Sequence, residues 1–268
     1  MQVIGILAIL LYLCAGFVAG LRLVRHEDSG LISRRGVLWL GFAGILLHAT
    51  VLYPHVFTPA GLDLGFFPAS SLIALLTAAL MLGFATLRPV EALATVLLPV
   101  AALTIGLLFA YHGHHIVPDA RSWQIDLHIV LSVLAYSMLG IAALQSILLA
   151  IADHELRRRR LTGILRSLPP LQTMETILFQ LITTGFALLT LALLSGIVFV
   201  RDIFSQHLVH KSVLSIGAWV VFGILLWGRW RFGWRGRTAI RWTLSGFIFL
   251  MLAYFGSKLV LELILHRT

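Results

Sequence analysis

The sequence is poor in charged residues, in paired carboxylates and in cysteine, and each shortage excludes a class of protein. Charged residues make up only 12% of the chain and hydrophobic residues 59%, so a soluble domain of this composition would have to expose a largely apolar surface. The single cysteine, Cys14, excludes a disulfide framework and a thiolate metal cluster. No carboxylate pair of glycosidase type and no GxSxG, P-loop or HExxH motif is present, which argues against a hydrolase or an ATPase. We therefore predict an integral membrane protein.

Eight long apolar segments follow one another along the chain, and each is long enough to cross a bilayer as a helix. No linker is long enough to form a second domain, and no sheet pattern or internal repeat divides the chain. We predict an all-α integral membrane bundle of about eight transmembrane helices that forms one domain, residues 1–268. The predicted spans are Val3–Leu21, Val37–Val56, Phe66–Leu87, Leu93–Tyr111, Leu127–Ala152, Leu178–Val200, Val213–Trp227 and Thr243–Leu263.

The basic residues are concentrated in alternate loops of this series. Fifteen of the 20 lysines and arginines lie between the first and second, third and fourth, fifth and sixth, and seventh and eighth segments. The positive-inside rule places these loops in the cytoplasm and both termini outside, in a multi-pass protein of the bacterial inner membrane. The net charge of +9 is thus a signal of topology and of contact with membrane lipids, and it implies no nucleic acid. The first segment lacks the features of a signal peptide and is expected to be a retained helix.

The segment Trp123–Asp153, WQIDLHIVLSVLAYSMLGIAALQSILLAIAD, carries a polar stripe along one side. His128 lies about one turn inside its first end, and Ser132, Tyr136 and Gly140 follow at steps of four residues. Such a stripe is expected to face protein and not lipid. The imidazole in this position is suited to holding a metal or a haem iron, and it is equally suited to being a hydrogen-bonded core histidine.

Nine of the eleven histidines fall on the predicted outer side, and imidazole is the ligand that haem iron, zinc and copper share. His48, in GILLHATVLY, is costly to bury in a membrane, and this favours a binding role and a structural role equally. The loop Tyr111–His115, YHGHH, resembles a metal cluster, but a short histidine-rich loop is more often simply solvated. His207 and His210 have the i, i+3 spacing of helical ligands, with no carboxylate near them in sequence.

The last segment presents a second group of ionisable residues at steps of four. Lys258, Glu262 and His266 lie on one face of SKLVLELILHRT. One interpretation is an ion pair of Lys258 with Glu262 and an interfacial His266. The other is that Glu262 accepts the free N–H of a ligating His266, as carboxylates commonly do for metal-bound imidazoles.

Three stretches of the chain together resemble a known family. They are DLHIVLSVLAYSMLGIAALQSILL, KSVLSIGAWVVFGILLWGRWRFGWRGRTAIRW and MLAYFGSKLVLELILH. The chain resembles the cytochrome c assembly proteins, the CcsA-type haem-handling membrane proteins, and within them the YpjD and HemX-like branch. A family histidine before the GWRGR-type loop is matched by Trp227, and the tryptophan-rich outer motif is absent from RDIFSQHLVHKS. These two departures argue against full cytochrome c synthase activity.

The resemblance implies that His128 and His266 are the axial ligands of a b-type haem. Ser132 and Tyr136 would then lie deeper on the stripe and fix the packing of the helix, while His48 would be a further outer histidine able to replace His266. We expect a protein that binds or passes haem at the outer face in support of cytochrome c assembly. Its partners would be haem, membrane lipids and an apocytochrome or other cytochrome-assembly proteins.

Two other functions remain open from the residues. The first is an accessory or scaffold subunit of a membrane complex, in which the histidines are structural. The second is a metal or small-molecule transporter, for which broken helices and paired charges at mid-membrane are expected.

Overall fold

The computed structural model of the chain describes residues 1–25, 33–59, 61–111, 116–118, 123–157, 168–199 and 209–256. Within these residues the chain forms eight α-helices, a 3₁₀ turn Glu91–Leu93 and a π-helical turn Leu252–Gly256. Three short strands, β1 Phe57–Thr58, β2 Gly61–Asp63 and β3 Ile116–Pro118, form a sheet in the order β1-β2-β3, and β1 pairs with β2 as an antiparallel hairpin. The helices are α1 Gln2–Arg25, α2 Arg34–Val56, α3 Phe66–Leu87, α4 Ala94–Ala110, α5 Trp123–Arg157, α6 Leu171–Phe199, α7 Val209–Phe232 and α8 Arg237–Met251.

In the described part of the chain, the helices long and apolar enough to cross a membrane are α1 to α7, with α4 taken together with the 3₁₀ turn before it as the span Glu91–Ala110. Helix α8 has 15 described residues before the π-helical turn, fewer than the roughly 20 that a bilayer requires, and the rest of the predicted eighth span lies outside the described residues. The prediction of an all-α integral membrane bundle is confirmed. The orientation with both termini outside and the single domain over residues 1–268 stay predictions.

The described chain divides into two compact units, of which the first contains Met1–Val117 and Ala152–Pro170. Its core is a four-helix arrangement in which α1 packs against α2 and α4, and α3 packs against the same two helices. Glycine permits the close approach at one crossing, because a Cβ at Gly44 would lie only 2.8 Å from the Tyr12 ring. The Arg34 guanidinium, near the start of α2, pairs with Glu91 of the 3₁₀ turn.

The second unit contains Pro118–Ile151 and Leu171–Thr268, and therefore most of α5 with α6, α7 and α8. The Leu139 side chain of α5 fills the space beside Gly185 of α6, where an added Cβ would lie 2.6 Å from Leu139 Cγ. Helices α6 and α7 are joined by the Trp219 indole, which donates to Thr190 Oγ1 at 2.9 Å. Gly246 of α8 is in turn covered by the ring of Phe222. Small residues and interhelical hydrogen bonds thus hold this unit together, as expected where lipid supplies no hydrophobic drive.

Candidate functional site

Helix α5 positions His128 near its first end, in the second unit. The helix runs from Trp123 to Arg157 without a break, and its 35 residues exceed the roughly 20 needed to cross the hydrocarbon core. A helix of this length can cross the hydrocarbon core with both of its ends outside it. His128 lies in the second helical turn, and its side chain is half-buried.

The His128 ring is held by two acceptors on α6. Nδ1 lies 2.9 Å from the carbonyl oxygen of Ala192 and 3.0 Å from Ser195 Oγ. A carbonyl oxygen can only accept, so Nδ1 carries the proton and donates it to this pair. The Ser195 hydroxyl itself donates to the Ala192 carbonyl at 2.8 Å, which leaves its lone pairs for the imidazole. The lone pair of the neutral ring is therefore on Nε2.

Gly196 provides the space in which the ring lies. A Cβ at this position would be 3.1 Å from Cε1, 3.5 Å from Nδ1 and 4.0 Å from Nε2 of His128. Any larger residue at position 196 would contact the imidazole too closely. We call the Ser195–Gly196 pair, which hydrogen-bonds the ring and leaves space for it, the ligand seat. Metal-ligating histidines almost always donate their other ring N–H to a carboxylate, a backbone carbonyl or water, and Nδ1–H of His128 has a backbone carbonyl in this role.

The polar stripe that the sequence predicts along α5 contacts two different helices, α6 near His128 and α8 further along the chain. Tyr136 is buried, and its hydroxyl donates to the carbonyl oxygen of Leu250 in α8 at 2.8 Å. Gly140, one turn further, lies beside the Phe247 ring of the same helix. Ser132, between His128 and Tyr136, is half-buried. His128 thus contacts α6, whereas the part of the stripe that follows it in sequence contacts α8. The Tyr136 hydroxyl joins α5 to α8.

His48 lies in the first unit and is fully buried between two hydroxyl groups. Nε2 is 2.8 Å from Ser71 Oγ of α3, and Nδ1 is 3.3 Å from the Tyr12 hydroxyl of α1. All three side chains are inaccessible to solvent. Both ring nitrogens are engaged, so haem binding by His48, which stays a prediction, would require one of these bonds to break.

The remaining predicted site residues, Glu262 and His266, lie outside the described residues, as do the YHGHH histidines and His207. Their roles stay predictions. Within the ranges that the structure describes, no three side chains of histidine, cysteine, aspartate or glutamate lie close enough together to hold a metal ion.

Sequence reasoning did not identify the residues that hold the two buried rings. These are Ala192, Ser195 and Gly196 at His128, and Tyr12 and Ser71 at His48. The adjacent serine and glycine in LLSGIVF were the available signal, because small and polar residues in an apolar span mark helix contacts in membranes. The Ala192 carbonyl gave no signal, since every residue carries one.

Comparison with known proteins identifies the family. The model of the family described as "Cytochrome C assembly protein" matches residues 38–265. The chain is 31% identical over 233 residues to the "Inner membrane protein YpjD" of Escherichia coli strain K12, which covers 86% of this chain and 88% of the relative. It is 29% identical over 91 residues to the "Cytochrome c biogenesis protein CcsA" of Trichormus variabilis, covering 33% of this chain and 26% of the relative.

No solved structure matches the chain. The family match begins in α2 and extends through every later helix that the structure describes. Together with the seven apolar helices, these matches identify a multi-pass inner membrane protein that belongs to the cytochrome c assembly protein family.

Proposed function

We propose that this protein binds haem through Nε2 of His128 and handles it in support of cytochrome c assembly. The observation that carries the proposal is the pair of α6 acceptors on Nδ1, which fixes the ring and leaves Nε2 as a lone-pair donor. Haem iron is commonly held by such an oriented neutral imidazole. The family match and the biogenesis proteins among the relatives support the same ligand class.

The residues of the site fit a non-covalently held haem. Covalent attachment of c-type haem uses a C-x-x-C-H motif, and the chain has only Cys14, which lies in α1 of the first unit. When bound, a b-type haem would be held through Nε2 of His128, and its iron would supply a metal centre that binds nitrogen ligands. We propose His266 as the second ligand, with Glu262 accepting its free N–H.

Two imidazole side chains, those of His128 and His266, would suit holding and transfer of haem better than oxygen chemistry. Ser195 and Ala192 would keep the His128 ring in one tautomer and one orientation during this process. Ser132 and Tyr136 would maintain the packing of α5 below the ring. The proposed recipient is an apocytochrome or another cytochrome-assembly protein.

The test is an absorption spectrum of the purified protein in detergent, before and after addition of haem. The wild type is expected to show a Soret band, and His128→Ala is expected to lose most of it. His154→Ala is the matched control, because His154 is an exposed histidine of the same helix near its opposite end. A wild type that never acquires a Soret band, or a His128→Ala protein that binds haem as the wild type does, would refute the proposal.

The scaffold function is the second candidate, and the geometry of His48 favours it. A histidine with both nitrogens bonded inside a helix bundle stabilises that bundle and needs no ligand. If the His128 test fails while the protein stays folded, the same interpretation extends to His128, whose Nδ1 bonds alone would then explain its burial.

A further inference from the structure

A groove with polar side chains in a largely apolar lining opens on the side of the second unit, near the arginine-rich segment that joins α7 to α8. Its volume is about 400 Å³, within the range of about 300–1,000 Å³ typical of ligand sites. Five of its lining residues come from one face of α6, and the sixth is an arginine of α7. The residues are Thr176, Phe179, Gln180, Thr183, Thr184 and Arg229.

Arg229 lies at the mouth of the groove in a fixed position. Its Cζ is 4.6 Å from the centroid of the Phe179 ring, and Nη1 donates to the carbonyl oxygen of Trp234 at 3.1 Å. That bond uses one of the five N–H groups of a guanidinium. A planar, prearranged guanidinium of this kind is well suited to an oxyanion such as a phosphate diester.

The α6 face continues the polar lining away from Arg229. Thr176 and Thr183 donate to the carbonyls of Gln172 and Phe179, one turn earlier, and satisfy their own hydroxyl protons. Gln180 differs, because no protein group in the described part of the chain is bonded to its half-buried amide. From Thr176 to Thr184 the stripe is about 12 Å long at 1.5 Å per residue. It is therefore longer than the headgroup layer of about 5–8 Å on each side of the hydrocarbon core.

Polar groups on the outside of a membrane-spanning helix are costly unless something satisfies them. Helices α6 and α7 both have the length and composition of membrane spans, so their outer surface is expected to face lipid. A phospholipid offers a phosphate, then glycerol ester carbonyls, then acyl chains. The groove offers, in the corresponding order, a guanidinium, an amide with hydroxyls, and an apolar helix surface.

The charge around the mouth favours an anionic lipid. The segment from Arg229 to Arg241 carries five arginines and no acidic residue. Glu175, a nearby carboxylate, is engaged, because its Oε1 accepts the backbone N–H of Gly236 at 2.7 Å. Glu175 keeps its negative charge in this bond, but one carboxylate beside five arginines leaves the net charge of the region positive.

We propose that this groove is a binding site for one anionic phospholipid, with the phosphate on Arg229 and the ester oxygens on Gln180 and Thr184. The groove shares no residue with the proposed haem site, so this proposal does not rest on the proposed function. It differs from general attraction to the basic segment, because it assigns the lipid to one arginine of the five.

The test uses the purified full-length protein in mixed micelles of phosphatidylglycerol and phosphatidylcholine, with retained lipids counted by native mass spectrometry. The wild type is expected to retain one phosphatidylglycerol in preference to phosphatidylcholine. Arg229→Gln should lower this retention about tenfold or more, as expected for loss of a charge-assisted hydrogen bond. Arg231→Gln is the matched control, because it removes the same charge from an exposed arginine outside the groove lining.

Arg229→Gln also removes the hydrogen bond to the Trp234 carbonyl, so it could destabilise the loop as well as the lipid site. Gln180→Leu distinguishes the two effects, because the Gln180 amide has no such bond in the described structure. It should lower retention of phosphatidylglycerol and leave the fold intact. Equal losses in Arg229→Gln and Arg231→Gln, or a Gln180→Leu protein that retains lipid as the wild type does, would overturn the proposal. Retention of phosphatidylcholine equal to that of phosphatidylglycerol would do the same, as would displacement by inorganic phosphate, which would indicate a small-anion site.

Discussion

Gly196→Ala adds one methyl group to α6 at the point where the His128 ring lies against it. The new Cβ would be 3.1 Å from Cε1 of the ring, closer than the roughly 3.5–4.0 Å at which carbon atoms pack best. The ring must therefore shift by a few tenths of an ångström away from α6. This shift lengthens the bonds that Nδ1 makes at 2.9 Å and 3.0 Å, and it turns Nε2 away from its fixed direction.

Stability and haem affinity should respond differently to this change. Alanine is about 1 kcal/mol more favourable than glycine inside a helix, and overpacking typically costs about 1–3 kcal/mol. The strain falls on one half-buried ring that needs to shift by only a few tenths of an ångström, and the helix gains from alanine, so we expect a change of less than about 1 kcal/mol in the free energy of unfolding. Loss of ligand orientation, in contrast, typically lowers metal affinity by about 10–100-fold. We expect haem affinity to fall about tenfold, the lower end of that range, because the hydrogen bonds lengthen but persist.

The measurement pairs a haem titration at the Soret band with thermal unfolding followed by circular dichroism in the same detergent. Gly223→Ala is the matched control, since its Cβ would make an ordinary contact of 3.6 Å with the Phe186 ring; it should raise the free energy of unfolding by up to about 1 kcal/mol and leave haem affinity unchanged. Gly185→Ala is the opposite case, because its Cβ would lie 2.6 Å from Leu139 Cγ and 3.4 Å from the Leu139 backbone nitrogen, and it should destabilise the fold. Wild-type haem affinity in Gly196→Ala would refute the assignment of that glycine to the ligand seat.

Four further outcomes are expected. Ser195→Ala removes one of the two acceptors of the ligand ring, and haem affinity in the same titration should fall about tenfold. Tyr136→Phe removes the hydrogen bond to α8 but keeps the ring, so the free energy of unfolding in detergent should fall by about 1 kcal/mol with haem affinity unchanged. His48→Ala leaves two buried hydroxyls without their partner and should lower the same free energy by about 1–3 kcal/mol, again without loss of haem. Reporter fusions after Arg237 should report the cytoplasm, and fusions at Thr268 the outer side.

The last three of these outcomes each have a result that would contradict them. Loss of haem in His48→Ala with an unchanged melting temperature would make that histidine a ligand and not a structural residue. A Tyr136→Phe protein as stable as the wild type would show that the bond to α8 is energetically neutral. A cytoplasmic signal from Thr268 would reverse the orientation or change the number of spans, and the grouping of histidines on the outer side would be lost with it.

The apolar segments were predictable because, at most of their ends, the hydropathy falls where helix-terminating residues such as glycine and proline occur. Helix α3 begins at Phe66 and ends at Leu87 as predicted, since Gly65 precedes it and Arg88 with a proline follows it. Helix α6 was predicted to begin at Leu178, and it begins at Leu171, directly after two prolines. Its first two turns mix polar residues with the buried Met174 and Ile177, so the hydropathy of the stretch is low although the helix is continuous.

The candidate ligand was predictable, whereas its support was not. His128 stands out as a polar residue in an apolar span, and this can be read from one segment alone. The acceptors on its ring lie more than sixty residues away and depend on how α5 and α6 are rotated about their axes. For His48 the sequence left a binding role and a structural role equally open, because the choice depends on Tyr12 and Ser71 in two other helices.

The hydrogen-bonded series from Tyr12 through His48 to Ser71 has a consequence for how the first unit assembles during synthesis. Each member belongs to a different helix, so a helix inserted alone would hold its polar group in hydrocarbon without a partner. A shift of one residue rotates a helical face by about 100°, which would separate His48 from both neighbours. The three side chains therefore fix how α1, α2 and α3 are rotated about their own axes relative to one another. Because α1 is synthesised first, the Tyr12 hydroxyl has no partner until α2 brings His48 into the membrane. The second hydrogen bond of His48 forms only after α3 brings Ser71.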